Sequence, residues 1–335
     1  MGAKKSKLSS VKKLLLLGVV LDIPETYESV RRLLETLKID AIEYTTQADM
    51  KLLRILVGKS GKNAKFGCPY CDVSSPYHVD GQLYCLHDLL QLHQQFVEAG
   101  SQKKTQQEFQ NVVNVPLISA KNDQVILGLM PPPELHLMIG VVDKLITGIE
   151  TEVFEDNDTG RLFMDGFLKK SGIVRKSYQG CHSLEGNQSR EFLRKLDQLE
   201  SHFEEEDIDT QMKGLQFVEV LRSFSKVVSS CFGGYLSEEY LNNIIQFRTL
   251  YMQLGISVTP KVHCVFQHIH EFLNIANIGV SSGHKKGLGY FSEQSFEAMH
   301  HDAKQGWDRV KVGTNHAECG QRLKDFVVSN NSKHL

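Results

Sequence analysis

The chain has 335 residues, with 41% hydrophobic and 23% charged content and a formal net charge of −2. That length and balance fit an ordinary soluble globular protein with one large or two ordinary domains, and ample chain for a buried core. No run of about 18 apolar residues exists, so no membrane span is expected, and the near-neutral charge gives no global attraction to nucleic acid. The seven cysteines are odd in number and scattered (68, 71, 85, 181, 231, 264, 319), which argues against a disulfide framework and for a reducing, intracellular compartment.

In chain order, the apolar run LLLLGVVL superficially matches a signal peptide. It is short, lacks a small-residue cleavage site and runs directly into Asp22, so a buried strand over 12–22 accounts for it better. The opening Met-Gly-Ala-Lys-Lys-Ser fits the loose myristoylation pattern, and a basic tail is the plainer reading. Residues 24–38 have apolar positions at helical spacing, 40–46 (DAIEYTT) form a weaker strand, and MKLLRILVG is a short helix stopped by Gly58. This βαβ order predicts part of an α/β sheet. Residues 59–81 form a loop rich in Gly, Lys, Ser and Pro, and from about 86 to 275 the periodicity is mostly helical. A last helix is expected over about 292–305, with fraying after 328, and Glu204 to Asp207 is a solvated acidic loop.

Cys68-Pro69-Tyr70-Cys71 admits two chemistries. A redox pair needs a helix starting at the first Cys to lower its thiol pKa, yet Asp72 to Pro76 is a turn sequence in which Pro76 forbids a regular helix. Half of a zinc site is the better reading, and it requires two more ligands. His263 and His268, in TPKVHCVFQHIHEF, have the upper end of the spacing found for His pairs in Cys2His2 sites, with His270 and Cys264 as nearby rivals. Gly58-Lys59-Ser60 mimics the end of a P-loop, but the required upstream glycine is replaced by Leu53. Lys59, Lys62 and Lys65, with Lys285 and Lys286, are the local basic stretches available to touch DNA, solvated loops being the plainer reading.

Asp49 stands just beyond the second expected strand, and Glu293 and Glu297 lie one helical turn apart near the other end. Acids at a strand end and on a later helix suit two-metal phosphoryl transfer with Mg²⁺ or Mn²⁺; singly, Asp49 reads as a helix cap and the two Glu as solvent-facing.

The order Asp49, Cys68-x-x-Cys71, Leu135 to Gly140, Gly186-Asn187, His263-x₄-His268 and Ser292-Glu293-x₃-Glu297 resembles the catalytic core of Transib-type transposases and the related catalytic subunit of the V(D)J recombinase. The resemblance covers about residues 12–305 and rests on order and spacing together. It implies a ribonuclease-H-like α/β core (1–58), a helical zinc-binding insertion (59–280) and a C-terminal catalytic helix with its tail (281–335). It further implies Cys68, Cys71, His263 and His268 as structural Zn²⁺ ligands, and Asp49 and Glu297 as the second and third catalytic acids, Glu293 being the rival for the third. In the family the first acid lies upstream of the segment matched here, so an incomplete acid set is expected. The implied role is a nuclear, DNA-binding, transposase-derived protein, with a homodimer as the candidate assembly and no small-molecule substrate. An active endonuclease and strand-transferase, its first acid supplied by an upstream stretch of a longer chain or by another chain, and a zinc-stabilised interaction module without a DNA role are the alternatives.

Overall fold

The computed structural model describes residues 23–38, 45–61, 64–178, 181–292 and 294–332. Helices dominate. The first, α1 (Tyr27–Leu37), starts on a capping box in which Thr26 and Ser29 satisfy each other's backbone N–H groups. The second, α2 (Met50–Leu56), is capped by Asp49, which accepts from the N–H groups of Lys51 (3.0 Å) and Leu52 (2.8 Å). It ends at Gly58, whose φ of +77° suits a residue without Cβ and whose carbonyl accepts from Val113 and Asn114.

The expected α/β, ribonuclease-H-like sheet is overturned. Among the described residues the only named strands are β1 (Lys176–Tyr178) and β2 (Cys181–Ser183), a hairpin of three residues a side. The expected strand over 12–22 and most of that over 40–46 lie outside the described residues. Thr45 and Thr46 are not in a strand, and the Thr46 N–H bonds the Leu129 carbonyl instead of a neighbouring strand. The apolar periodicity of the rest of the described chain builds a helical core instead.

That core begins with α3 (Leu86–Glu98), α4 (Ile126–Leu129) and α5 (Glu134–Gly148), the last continued by a π turn over Ile149–Val153. It continues through α6 (Asn157–Lys170), α7 (Gly186–Arg194), α8 (Leu196–Phe203), α9 (Ile208–Cys231) and α10 (Tyr240–Gln253). Then α11 (Pro260–His263), a π turn over Cys264–His268 and α12 (Ile269–Ala276) form one continuous rod. The C-terminal helices are α13 (Gln294–Val310) and α14 (Cys319–Ser332), the latter extending past the expected fraying point. One apolar cluster runs from Ala48 to Leu288.

Two features aim this core at the rod. Phe224 of α9 meets Phe247 of α10 at 5.0 Å between ring centroids, and Phe247 meets Phe266 of the π turn at 5.5 Å, so an aromatic column seats the rod on α10 and, through it, on α9. Gly140 of α5 leaves the space that the Lys261 stem fills, letting α11 close on α5. The Glu204–Asp207 stretch is the expected turn, with Asp207 capping α9 by accepting from Asp209 and Thr210.

Gly160 and Gly166 of α6 separate packing from propensity. A Cβ at Gly160 would run into the Glu150 carbonyl, whereas one at Gly166 meets nothing within 4 Å. Gly160→Ala should destabilise by about 1–3 kcal/mol, because backbone cannot yield as a side chain does. Gly166→Ala should instead stabilise by about 0.5–1 kcal/mol. Thermal unfolding of the two variants checks the contrast.

Candidate metal centre

Cys68 and Cys71 sit on a tight turn, not on a helix. Tyr84 N–H bonds Tyr70 O at 2.8 Å and Asp72 N–H bonds Gln82 O at 3.1 Å, so the turn is one arm of a narrow antiparallel ribbon. The Tyr70 N–H points at Cys68 Sγ (3.5 Å), the arrangement of a metal knuckle. Beyond Asp72 the chain turns through Ser75–Pro76, so the helix a redox pair needs does not form.

The histidine pair depends on the π turn. In a regular α-helix, residues five apart point roughly 140° away from each other. The wider turn, with i→i+5 bonding, brings them back to nearly one face. His263 opens this segment and His268 closes it, with ring centroids 4.9 Å apart and planes at 86°.

The two halves meet. Cys68 Sγ lies 3.2 Å from His268 Nε2, and Cys71 Sγ 3.3 Å from His263 Nε2, across 200 and 192 residues of sequence. All four donor atoms lie within 4.8 Å of one another. Tetrahedral zinc with ordinary Zn–S and Zn–N bonds sets S···N separations of about 3.5 Å, so the quartet fits the ion. All four side chains are at most 1% exposed, which marks a closed structural site over one with an open catalytic position. Among the described residues no other group of three or more His, Cys, Asp or Glu converges in this way, and neither rival ligand, Cys264 nor His270, belongs to the quartet.

The surroundings are specific. His268 Nδ1 lies 2.7 Å from Glu271 Oε2, and the Tyr70 ring meets His268 edge-on at 5.3 Å. Lys59 corrects a sequence expectation. It is 4% exposed, and its Nζ donates to the carbonyls of Cys68 (2.7 Å) and Phe66 (3.3 Å) and contacts the Tyr84 hydroxyl (3.1 Å). A lysine spent in this way inside the knuckle is not available to a phosphate; its charge, read from sequence, said nothing of its burial. Burial holds its pKa down to about 8, against the pull of Cys68 and Cys71.

None of the other expected site residues that are described joins the quartet. Lys65 and Lys285 are exposed, and Lys286 rests its ammonium 4.1 Å over the Tyr290 ring. Lys62 and Glu293 lie outside the described residues, and Glu297 is on α13 with its side chain outside the described part. Asp49 caps α2. The other family-like segments are packing elements: Gly186 opens α7 where any Cβ would strike Leu135 of α5. Among the described residues no helix is long and apolar enough to cross a membrane. No protein-family model matches the chain, and no curated protein matches it significantly.

Protons compete with the metal here. Burial opposes charge on His268, but the Cys68 sulfur and the Glu271 carboxylate outweigh it and lift His268 to about 9. Cys71 is pushed up by its hydrogen bond to Cys68 and then by burial. Cys68 is driven well down despite burial, by Cys71 and the His268 charge. At neutral pH the metal-free quartet therefore holds protons on Cys71 and His268 that a metal must displace. Zinc binding near pH 7 should release about two protons, and affinity should rise with pH, less steeply above about 9, where His268 has already lost its proton and Cys71 has not. Calorimetric titration in buffers of different ionisation enthalpy measures both.

Lys59→Met should cost about 1–3 kcal/mol by leaving buried carbonyls without their donor, whereas Lys285→Met on the surface should stay within about 0.5 kcal/mol. Denaturant unfolding of the two variants checks this.

Proposed function

We propose that the chain is a zinc-clipped helical scaffold of the Transib-transposase and V(D)J-recombinase type, with a structural metal and a DNA-binding rather than DNA-cleaving role. One observation carries the reading. The four residues that the resemblance implies as zinc ligands are the four whose donor atoms gather within 4.8 Å, two from each of two segments far apart in sequence. The chemistry of the set suits zinc: two thiolates neutralise the ion and two imidazoles complete a tetrahedron. Strand transfer by two Mg²⁺ or Mn²⁺ ions draws less support, because Asp49, its one described acid, is engaged as a helix cap.

A zinc-stabilised interaction module without a DNA role is the second reading. The burial of Lys59 and the net charge of −2 favour it. The DNA role then rests on Lys62, Lys65, Lys285 and Lys286, and a nuclear location follows from that role alone.

Purified protein should contain about one Zn²⁺ per chain and lose marked thermal stability on chelation, since metal-binding free energy becomes folding free energy. Unchanged metal content in the Cys68→Ser/His263→Ala double variant defeats the zinc assignment. The DNA arm is read by affinity against salt: phosphate contacts give a log–log slope of about −0.9 per contact. Binding no tighter than that of an acidic control protein at low salt leaves the interaction module standing.

A further inference from the structure

A network of four hydrogen bonds joins the histidine half of the quartet to the cysteine half without passing through the metal position. Gln267 lies between the two ligating histidines in sequence and is 3% exposed. Its Oε1 accepts from the Gly81 N–H (2.9 Å) and its Nε2 donates to the Gly81 carbonyl (2.7 Å), the paired bonding of a strand neighbour. Gly81 in turn backs onto the knuckle: a Cβ there would stand 2.8 Å from Cys71 Sγ. The same Gln267 Nε2 donates to Glu271 Oε1 (2.9 Å), and Glu271 Oε2 lies 2.7 Å from His268 Nδ1.

The chemistry of residue 271 is thereby fixed. The Gly81 N–H faces one end of the Gln267 amide and the Gly81 carbonyl the other, so the amide has one orientation and its nitrogen must face residue 271. One oxygen of residue 271 therefore accepts from Gln267. The other faces His268 Nδ1, which must be the protonated ring nitrogen if Nε2 is to offer its lone pair to an ion held jointly with Cys68. Two acceptors on one terminal group mean a carboxylate. A glutamine at 271 would oppose one of its own N–H groups to a donor.

We infer that Glu271 is a positioning residue for metal capture: it selects the Nδ1-protonated tautomer of His268, aims Nε2 into the quartet, and through Gln267 and Gly81 ties that histidine to the Cys71 knuckle. The inference deepens the zinc reading and rests on it. A carboxylate behind a ligating imidazole fixes the ring and raises its basicity, and loss of such a partner typically costs about 10–100-fold in metal affinity.

Two measurements test it on the full chain. In the zinc-loaded protein, long-range ¹⁵N–¹H correlation of the histidine rings should show His268 protonated at Nδ1 with Nε2 metal-bound; the opposite tautomer overturns the proposal without any variant. Glu271→Gln should bind zinc about 10–100-fold more weakly in competition with a chromophoric chelator. Its Co²⁺-loaded form should show shifted ligand-field bands, while Glu271→Asp recovers part of the affinity. Wild-type zinc affinity and an unshifted Co²⁺ spectrum in Glu271→Gln overturn the role of Glu271 and leave the metal site intact. A wild-type chain that holds neither Zn²⁺ nor Co²⁺ removes the site and this inference together.

Discussion

A tetrahedral ion needs four donors on a sphere of about 2 Å radius, and this chain takes two from each of two segments 192 residues apart. The rest of the architecture follows from that requirement. A loop of this length costs entropy to close, and a metal clip that closes it contributes more than one closing a short turn. The apolar contacts bring the segments into register: the column through Phe224, Phe247 and Phe266 seats the π turn, and Gly140 admits Lys261 so that His263 reaches the knuckle. Hydrophobic packing is non-directional and places the rod without fixing the angle of either imidazole. The π turn supplies the angular correction that places both imidazoles on one side.

The helical pattern was legible because burial of one helix face imprints a 3.6-residue period. Leu137, Val141 and Leu145 on α5 are buried at that spacing, as are Phe217, Leu221 and Phe224 on α9. The sheet was misread for the converse reason. A segment such as DAIEYTT is too short for its pattern to tell a strand from an extended loop, and only a neighbouring strand makes it one. The cysteine and histidine pairs were legible because metal chemistry restricts both residue type and spacing. Asp49 carried two readings, and the cap is the one its local sequence alone can satisfy.

What stayed hidden was the polar shell. Gln267 and Glu271 have the i, i+4 spacing of a solvated helix face, and nothing local says that Gly81 will lie against them. Lys59 sits in a stretch of lysines and serines that reads as a solvated loop, yet the ribbon folds over it. Burial of a charged residue is decided by long-range packing, so its sign is written in the sequence and its environment is not. Functional polar residues of this kind are best sought among partners of ligands already assigned, three or four residues along the same helix.

Charge balance suits the shell, in which Lys59 is buried and the Glu271 side chain is partly exposed. Zinc with two thiolates and two neutral imidazoles carries no net charge, so a lone buried cation or anion beside it would be uncompensated. Lys59 is held by the Cys68 and Phe66 carbonyls on the knuckle side, and Glu271 by Gln267 and His268 on the helix side. One positive and one negative group flank the neutral centre, and the assembly as a whole stays neutral. The arrangement also has a direction. The cation sits behind the thiolates, where it favours their deprotonated form, and the carboxylate sits behind an imidazole, where it strengthens the lone pair offered to the metal. Both placements ready the ligands for an ion, and exchanging the two charges would work against it at each donor.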